Sequence, residues 1–304
     1  MKGIYDCEII GQSEMAPGVV RTLLKGPAIA RDAQPGQFVN VQVAKTTDPL
    51  LRRPFSVYAV YPDEGVYAVL YVLRGRGTAL LNRIPPGESV SVVGPLGRPF
   101  DLGDSPEAEH IVVAGGCGAA PLHFLCDALC RKWGCDRVTV LSGAQSKDAV
   151  ICEAEFRAHG VDVGISTDDG TYGFHGLVTQ LLEERLSGRN SQFPIPNSQF
   201  RVYSCGPHAM LREVARICRE ARVASCQVSL ENNMACGIGV CTGCVQKCVG
   251  AKDSERDVSV CPQGQSPESF APTPDRNPET PADWHFERVC TDGPVFEAEE
   301  IVWE

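Results

Sequence analysis

Ile111-Val112-Val113-Ala114-Gly115-Gly116-Cys117-Gly118-Ala119-Ala120-Pro121 reads as a buried strand, a glycine turn and the opening of a helix. Leu122, Leu125, Cys126, Leu129, Cys130 and Trp133 follow at helical spacing and give that helix one apolar face. Working outward, Arg137 to Leu141, Val161 to Ser166 and Phe200 to Tyr203 read as further strands. Helices are expected around Leu177 to Leu186 and His208 to Arg222, the last with Leu211, Val214, Ala215 and Cys218 on one side. Strands that alternate with helices imply a doubly wound parallel sheet, over residues 104–225. Within it Asn190-Ser191-Gln192-Phe193 recurs as Asn197-Ser198-Gln199-Phe200, a small duplicated loop too short to be an architectural repeat.

Upstream, residues 1–103 carry a different pattern. Val39, Val41 and Val43 alternate with Asn40 and Gln42, so one face is expected inside and the other outside. Val66 to Leu73 is a continuous β-branched and aromatic run, suited to a strand buried on both faces, and Val90 and Val92 resume the alternation. Turns at Pro35-Gly36, Pro62-Asp63-Glu64-Gly65, Pro85-Pro86-Gly87 and Gly94-Pro95-Leu96-Gly97 separate the strands, which predicts a small antiparallel β-barrel. The third region, residues 226–304, is rich in cysteine. It contains a stretch, residues 262–283, with many prolines and little apolar content, expected to be a surface loop.

The composition of the 304 residues is globular, with 43% apolar and 22% charged residues. A net charge of −10 with no basic run argues against nucleic acid or an anionic membrane as partner. No apolar stretch follows Met1, and the longest one, Ile111 to Cys126, is broken by glycine and proline, so a cytoplasmic chain is expected. In that compartment thiols stay reduced, and seven of the fifteen cysteines fall between Cys226 and Cys290. Such clustering points to a metal or redox site.

Cys236-Gly-Ile-Gly-Val-Cys241-Thr-Gly-Cys244 has the C-x4-C-x2-C spacing of a plant-type [2Fe–2S] loop, which takes a fourth cysteine from further along the chain. Its glycines let the backbone bend round a cluster and aim N–H groups at sulfur. A zinc site would prefer paired short knuckles, and Cys241-x2-Cys244 supplies one. Cys248, Cys261 and Cys290 are the candidates for the fourth ligand. Cys248 follows Cys244 too closely, and Cys261 opens the proline-rich stretch. Cys290 sits in the ordered Arg288-Val289-Cys290-Thr291-Asp292-Gly293-Pro294 turn and is preferred.

Gly116, Gly118 and Pro121 form a turn that would let a pyrophosphate approach the backbone at a helix N-terminus. Gly206 and Pro207, in the strand end Tyr203-Ser204-Cys205-Gly206-Pro207, and Asp168, in the strand end Thr167-Asp168-Asp169-Gly170-Thr171, open on the same carboxyl edge. Lys147 and Asp148 argue in opposite directions on NAD against NADP. Arg52-Arg53-Pro54-Phe55-Ser56 and Gly75-Arg76-Gly77-Thr78 lie in the barrel region, where an arginine can clamp a diphosphate. The six histidines show no paired spacing, and no Ser-His-Asp order or Walker loop is present.

Together the Arg-x-x-Ser, Gly-Gly-x-Gly-x-x-Pro and Cys-Gly-Pro motifs resemble the ferredoxin–NADP reductase superfamily. Cys226-Gln-Val-Ser-Leu-Glu231, Met234-Ala-Cys236-Gly-Ile-Gly and Val289-Cys290-Thr-Asp-Gly-Pro-Val-Phe296 resemble, within it, the electron-transfer subunits of class 1B dihydroorotate dehydrogenase. The resemblance covers nearly the whole chain. It implies FAD held by Arg53, Pro54, Phe55, Ser56, Leu70, Tyr71, Val72, Gly77 and Thr78, a cluster on Cys236, Cys241, Cys244 and Cys290, and Cys205 beside the nicotinamide and flavin. It also implies NAD(H) as the nucleotide, a separate FMN-containing catalytic chain that oxidises dihydroorotate in pyrimidine biosynthesis, and a heterotetramer of two chains of each kind. The 45 residues between Cys244 and Cys290 depart from the family, which places its fourth cysteine sooner. The competing expectations are a small subunit of a sulfide dehydrogenase or of an NADH-dependent ferredoxin:NADP oxidoreductase, and a zinc-stabilised binding or regulatory protein.

Overall fold

A computed structural model describes residues 2–187, 197–250 and 284–303. The proline-rich stretch, Cys261 and the first copy of the short repeat lie outside the described residues.

The first part is a closed barrel of β1 (Gly3–Ala16), β2 (Val19–Lys25), β3 (Phe38–Val41), β4 (Arg53–Tyr61), β5 (Val66–Val72) and β6 (Ser89–Leu96) in the order β1-β2-β5-β4-β3-β6. Helix α1 (Pro27–Asp32) follows β2, and α2 (Arg76–Asn82) follows β5. Every neighbouring pair is antiparallel, and β1 closes the ring by pairing Gly3 with Gly94 through Glu8 with Ser89 of β6. Strand β5 is buried on both faces as its composition predicts. Tyr67, Val69 and Tyr71 fill the barrel with Ile9, Leu24, Val41 and Val57, while Ala68 and Leu70 face the core of the second part. Strand β3 departs from its predicted alternation: Asn40 is as buried as the valines beside it. The reason is a second layer of chain on that side, the cysteine loop, whose Cys236 carbonyl accepts the Asn40 amide N–H at 3.0 Å.

The second part is built on β7 (Glu109–Gly115), α3 (Ala119–Trp133), β8 (Val138–Ala144), α4 (Glu153–Ala158), β9 (Asp162–Thr167), β10 (Phe174–His175), α5 (Val178–Leu186), β11 (Phe200–Cys205), α6 (His208–Ala221) and β12 (Ser225–Ser229). After β12 come β13 (Val245–Val249), β14 (Trp284–Arg288) and β15 (Val295–Glu297). The sheet order is β10-β9-β8-β7-β11-β12-β15, parallel except for β15, which runs against β12. From β7 the chain winds outward through β8 and β9, then returns to β11 on the other flank of β7. That reversal makes the carboxyl ends of β7 and β11 the switch point, where α/β sheets open a crevice. The sheet also takes in two strands from beyond residue 225, β12 and β15, so sheet and cysteine region share elements.

A third core ties the parts together. Phe38 and Leu96 of the barrel and Leu211 and Val228 of the sheet pack with Cys244, Cys248, Val289, Cys290 and Phe296. Strands β13 and β14 form an antiparallel pair beneath the cysteine loop. Among the described residues no helix is long and apolar enough to cross a membrane.

Candidate functional site

At the switch point two turns touch. A Cβ on Gly118 would stand 2.1 Å from the Cys205 carbonyl oxygen, and one on Gly206 would stand 3.0 Å from Gly115 Cα. These glycines are required because two backbones meet there. Gly116 is different: its φ is +52° and its missing side chain faces open space, so the turn exposes backbone to the crevice. Pro121 is buried in the first turn of α3, and Pro207 precedes α6. Asp168 follows β9, two strands further along the same edge, and the structure does not bring it to the two glycine turns.

Cys205 ends β11 and is fully buried, which pushes its thiol well up, and the Glu231 carboxylate adds to the shift. Cys117, in the glycine turn, is pushed up to about 11 by burial and then by the same Glu231, with Arg74 opposing. Both thiols therefore stay protonated at neutral pH, and neither is set up as a nucleophile. Glu231 is itself raised by its surroundings, against the pull of Arg74. Glu231 thus acts on both cysteines, and Arg74 opposes it at Cys117. Sequence reading assigned Arg74 no role, and Glu231 entered only as the end of the Cys226–Glu231 motif.

The barrel residues sort by face. Phe55 and Tyr71 point into the barrel, their rings 5.0 Å apart and the Tyr71 hydroxyl 3.1 Å from Thr22 Oγ1, so only their backbones face outward. By strand alternation Pro54 and Ser56 share the outer face with Tyr58, and Leu70 and Val72 pack toward the sheet. Arg53 meets α2: a Cβ on Gly77 would stand 2.6 Å from Arg53 Nε, so this glycine admits the guanidinium. Thr78 Oγ1 accepts the Arg74 and Gly75 N–H groups at 3.1 and 3.3 Å and fixes the start of that helix.

In the cysteine loop, Gly237 and Gly239 take φ of +70° and +83°. Asn40 holds the Cys236 carbonyl from the barrel side, and Arg288 Nη1 donates to the Gly239 carbonyl at 2.9 Å from the other. The Cys241 N–H points at Cys236 Sγ, 3.4 Å away. Burial would raise the Cys236 thiol, but the amides of Cys241, Ile238 and Val240 and the Cys241 side chain outweigh it and bring it down to about 6. Cys290 is pushed up to about 12 by burial and then by its hydrogen bond with Cys244. The Val289 N–H donates to the Cys244 carbonyl at 2.9 Å, which locks the two segments together.

The four cysteines thus meet in two pairs, Cys236 with Cys241 and Cys244 with Cys290. A single zinc ion draws three or four donors about one point, whereas these four cysteines stand as two pairs. A two-iron cluster takes two thiolates on each iron, so the donor set suits it better. Cys248 lies on β13, buried at 2% exposure in the same core cluster as Cys244 and Cys290, with its Sγ 3.8 Å from the Gln246 carbonyl and no hydrogen bond to the two pairs among the described residues. Ile238 and Val240, at 49% and 82% exposure, leave the rim of the loop apolar and open.

No protein-family profile matches the chain. Among curated proteins it is 36% identical over 304 residues to the dihydroorotate dehydrogenase B (NAD+) electron transfer subunit of Desulforamulus reducens, covering all of both chains. It is 35% identical over 295 residues to the subunit of the same name from Geobacillus thermodenitrificans, covering 97% of this chain and 96% of that one. Among solved structures, an NADH-dependent reduced ferredoxin–NADP oxidoreductase of flavin-based electron bifurcation superposes with a TM-score of 0.73 at 24% identity, over 100% of this chain and 92% of its own. A Neisseria gonorrhoeae ferredoxin–NADP+ reductase with bound FAD and NADP gives 0.59 at 15% identity, over 72% and 91%. The structural likenesses establish a reductase-type fold, and the full-length identity establishes more: this chain belongs to the family of dihydroorotate dehydrogenase B (NAD+) electron transfer subunits.

Proposed function

We propose that the chain carries electrons between a catalytic partner subunit that oxidises dihydroorotate with FMN and NAD, in pyrimidine biosynthesis, through an FAD and a [2Fe–2S] cluster of its own. The observation that carries the reading is the pairing of Cys236 with Cys241 and of Cys244 with Cys290 where barrel and sheet meet, in a chain of this family. When bound, FAD exchanges hydride with the nicotinamide and single electrons with an iron–sulfur centre.

The residues divide that work. Arg53, with Gly77 and Thr78 at the start of α2, holds the FAD diphosphate. Pro54 and Ser56, the backbones of Phe55 and Tyr71, and Leu70 and Val72 line the flavin from the outer barrel face. Gly116, Gly118, Pro121, Gly206 and Pro207 seat the nicotinamide nucleotide at the switch point, and Asp168 stands at its outer end. Cys205 bounds the path between the two rings as a neutral, buried thiol and excludes water. Cys236, Cys241, Cys244 and Cys290 hold the cluster, and the apolar rim of Ile238 and Val240 faces the partner.

In this reading residues 1–103 serve the flavin, 104–225 the nucleotide and 226–304 the cluster. The assembly is a heterotetramer in the cytoplasm, where the thiols stay reduced. Anaerobic copurification tests the proposal. A coloured complex with iron, FAD and an FMN-containing chain that reduces NAD on addition of dihydroorotate is expected. A colourless chain, or a larger FAD-containing partner that does not oxidise dihydroorotate, would overturn it.

A further inference from the structure

Where α4 packs on α3, His123 of α3 and His159, at the C-terminal end of α4, face each other with their Nε2 atoms 3.3 Å apart. His123 Nδ1 lies 3.2 Å from the Tyr58 carbonyl oxygen, which can only accept, so Nδ1 carries the proton and Nε2 presents a bare lone pair. Tyr58 stacks on the imidazole at 4.3 Å and 13°, which fixes the plane of the ring. Burial lowers the His123 pKa, so the ring is neutral at physiological pH.

Two further side chains flank the pair. Glu155 precedes His159 by one helical turn and makes no hydrogen bond or ion pair among the described residues. Asp127 follows His123 by one turn but is held by Arg131 at 3.0 Å. The separation of the two nitrogens is long for a hydrogen bond, for which about 2.9–3.0 Å is usual. It matches two imidazole nitrogens on one tetrahedral ion, which at about 2.0–2.1 Å each stand about 3.3 Å apart.

We propose that His123 and His159, completed by Glu155, form a site for a borderline divalent transition-metal ion of the zinc or nickel class, one that pins α4 to α3. No three such side chains converge here already among the described residues, so Glu155 swings in on binding. Imidazole with one carboxylate suits this class of ion, whereas magnesium or calcium would demand oxygen donors.

The test is a Ni2+ titration of the full-length, tag-free, cofactor-loaded complex, read by calorimetry and thermal unfolding. Wild type is expected to bind Ni2+ at this site and to unfold at higher temperature with it. His159→Gln keeps an N–H donor facing His123 but removes a ligand, and should weaken that binding more than about tenfold and abolish the thermal shift. Glu155→Gln should weaken it less. Ni2+ taken up by cysteine would show sulfur-to-metal charge-transfer absorption and persist in His159→Gln. If wild type binds no Ni2+, or His159→Gln binds it as wild type does, the proposal is overturned.

Discussion

The switch-point edge and the cysteine loop are both glycine-rich turns beside cysteines, yet they are built on opposite principles. At the edge, glycines 118 and 206 vanish into contact between two backbones, Gly115 lies under the Met210 and Pro207 side chains, and the cysteine there is buried and protonated. In the loop, glycines 237 and 239 free N–H groups to point at sulfur, and Cys236 is drawn toward the thiolate. The first arrangement is rigid because it is full. The second is held by polar threads from outside it, Asn40 from the barrel and Arg288 from β14. Shape should therefore govern the edge, and ligand chemistry the loop.

The largest effects are expected in the loop. Cys244→Ser or Cys290→Ser should lose nearly all iron on analysis while flavin absorption stays, and Cys248→Ser should keep its iron. Retention of iron in Cys290→Ser would break the pairing on which the contrast rests. At the edge, Gly118→Ala drives a Cβ against the Cys205 carbonyl, where no flexible side chain can give way. A destabilisation of about 3 kcal/mol or more is expected by denaturant unfolding, with iron content unchanged in the folded fraction.

A smaller effect sharpens how buried the sheet is. His110 on β7 is 1% exposed, and burial, then Arg201, lowers its pKa to about 4. The unfolded chain takes up that proton below about pH 6.5, whereas the folded chain resists it until about pH 4. Stability is then whole above the unfolded value and is lost as pH falls through this window. Between pH 7 and pH 5 His110 should cost about 2 kcal/mol, a slope that His110→Gln removes in paired denaturant titrations. Asn40→Ala should cost about 1–2 kcal/mol and speed the loss of cluster absorbance in air, since it cuts one thread to the loop.

Much of this could be read from the chain because the signals are local. The β7 turn, the helical face of α3 and the C-x4-C-x2-C spacing each lie within a few residues. What escaped depends on contacts distant in sequence. Asn40 and Cys236 are 196 positions apart, and an alternating strand gave no sign that its polar face would be covered. His123 and His159, 36 positions apart, show no metal-ligand spacing and meet only because α4 folds back on α3. The resemblance assigns Phe55 and Tyr71 to flavin binding, but their side chains serve the barrel core, a division that composition cannot express.

The return of β12 and β15 to the sheet decides how this chain can be divided. Strand β12 pairs with β11 from Arg201 to Cys205, and β15 covers β12 in turn. A truncation before residue 226 would bare the backbone of β11, a strand built to be central, as an unprotected edge that recruits other strands. The cysteine region is thus no appendage that can be trimmed to leave a working reductase. It is the sheet's own border, and an attempt to express the first two parts alone should yield aggregate.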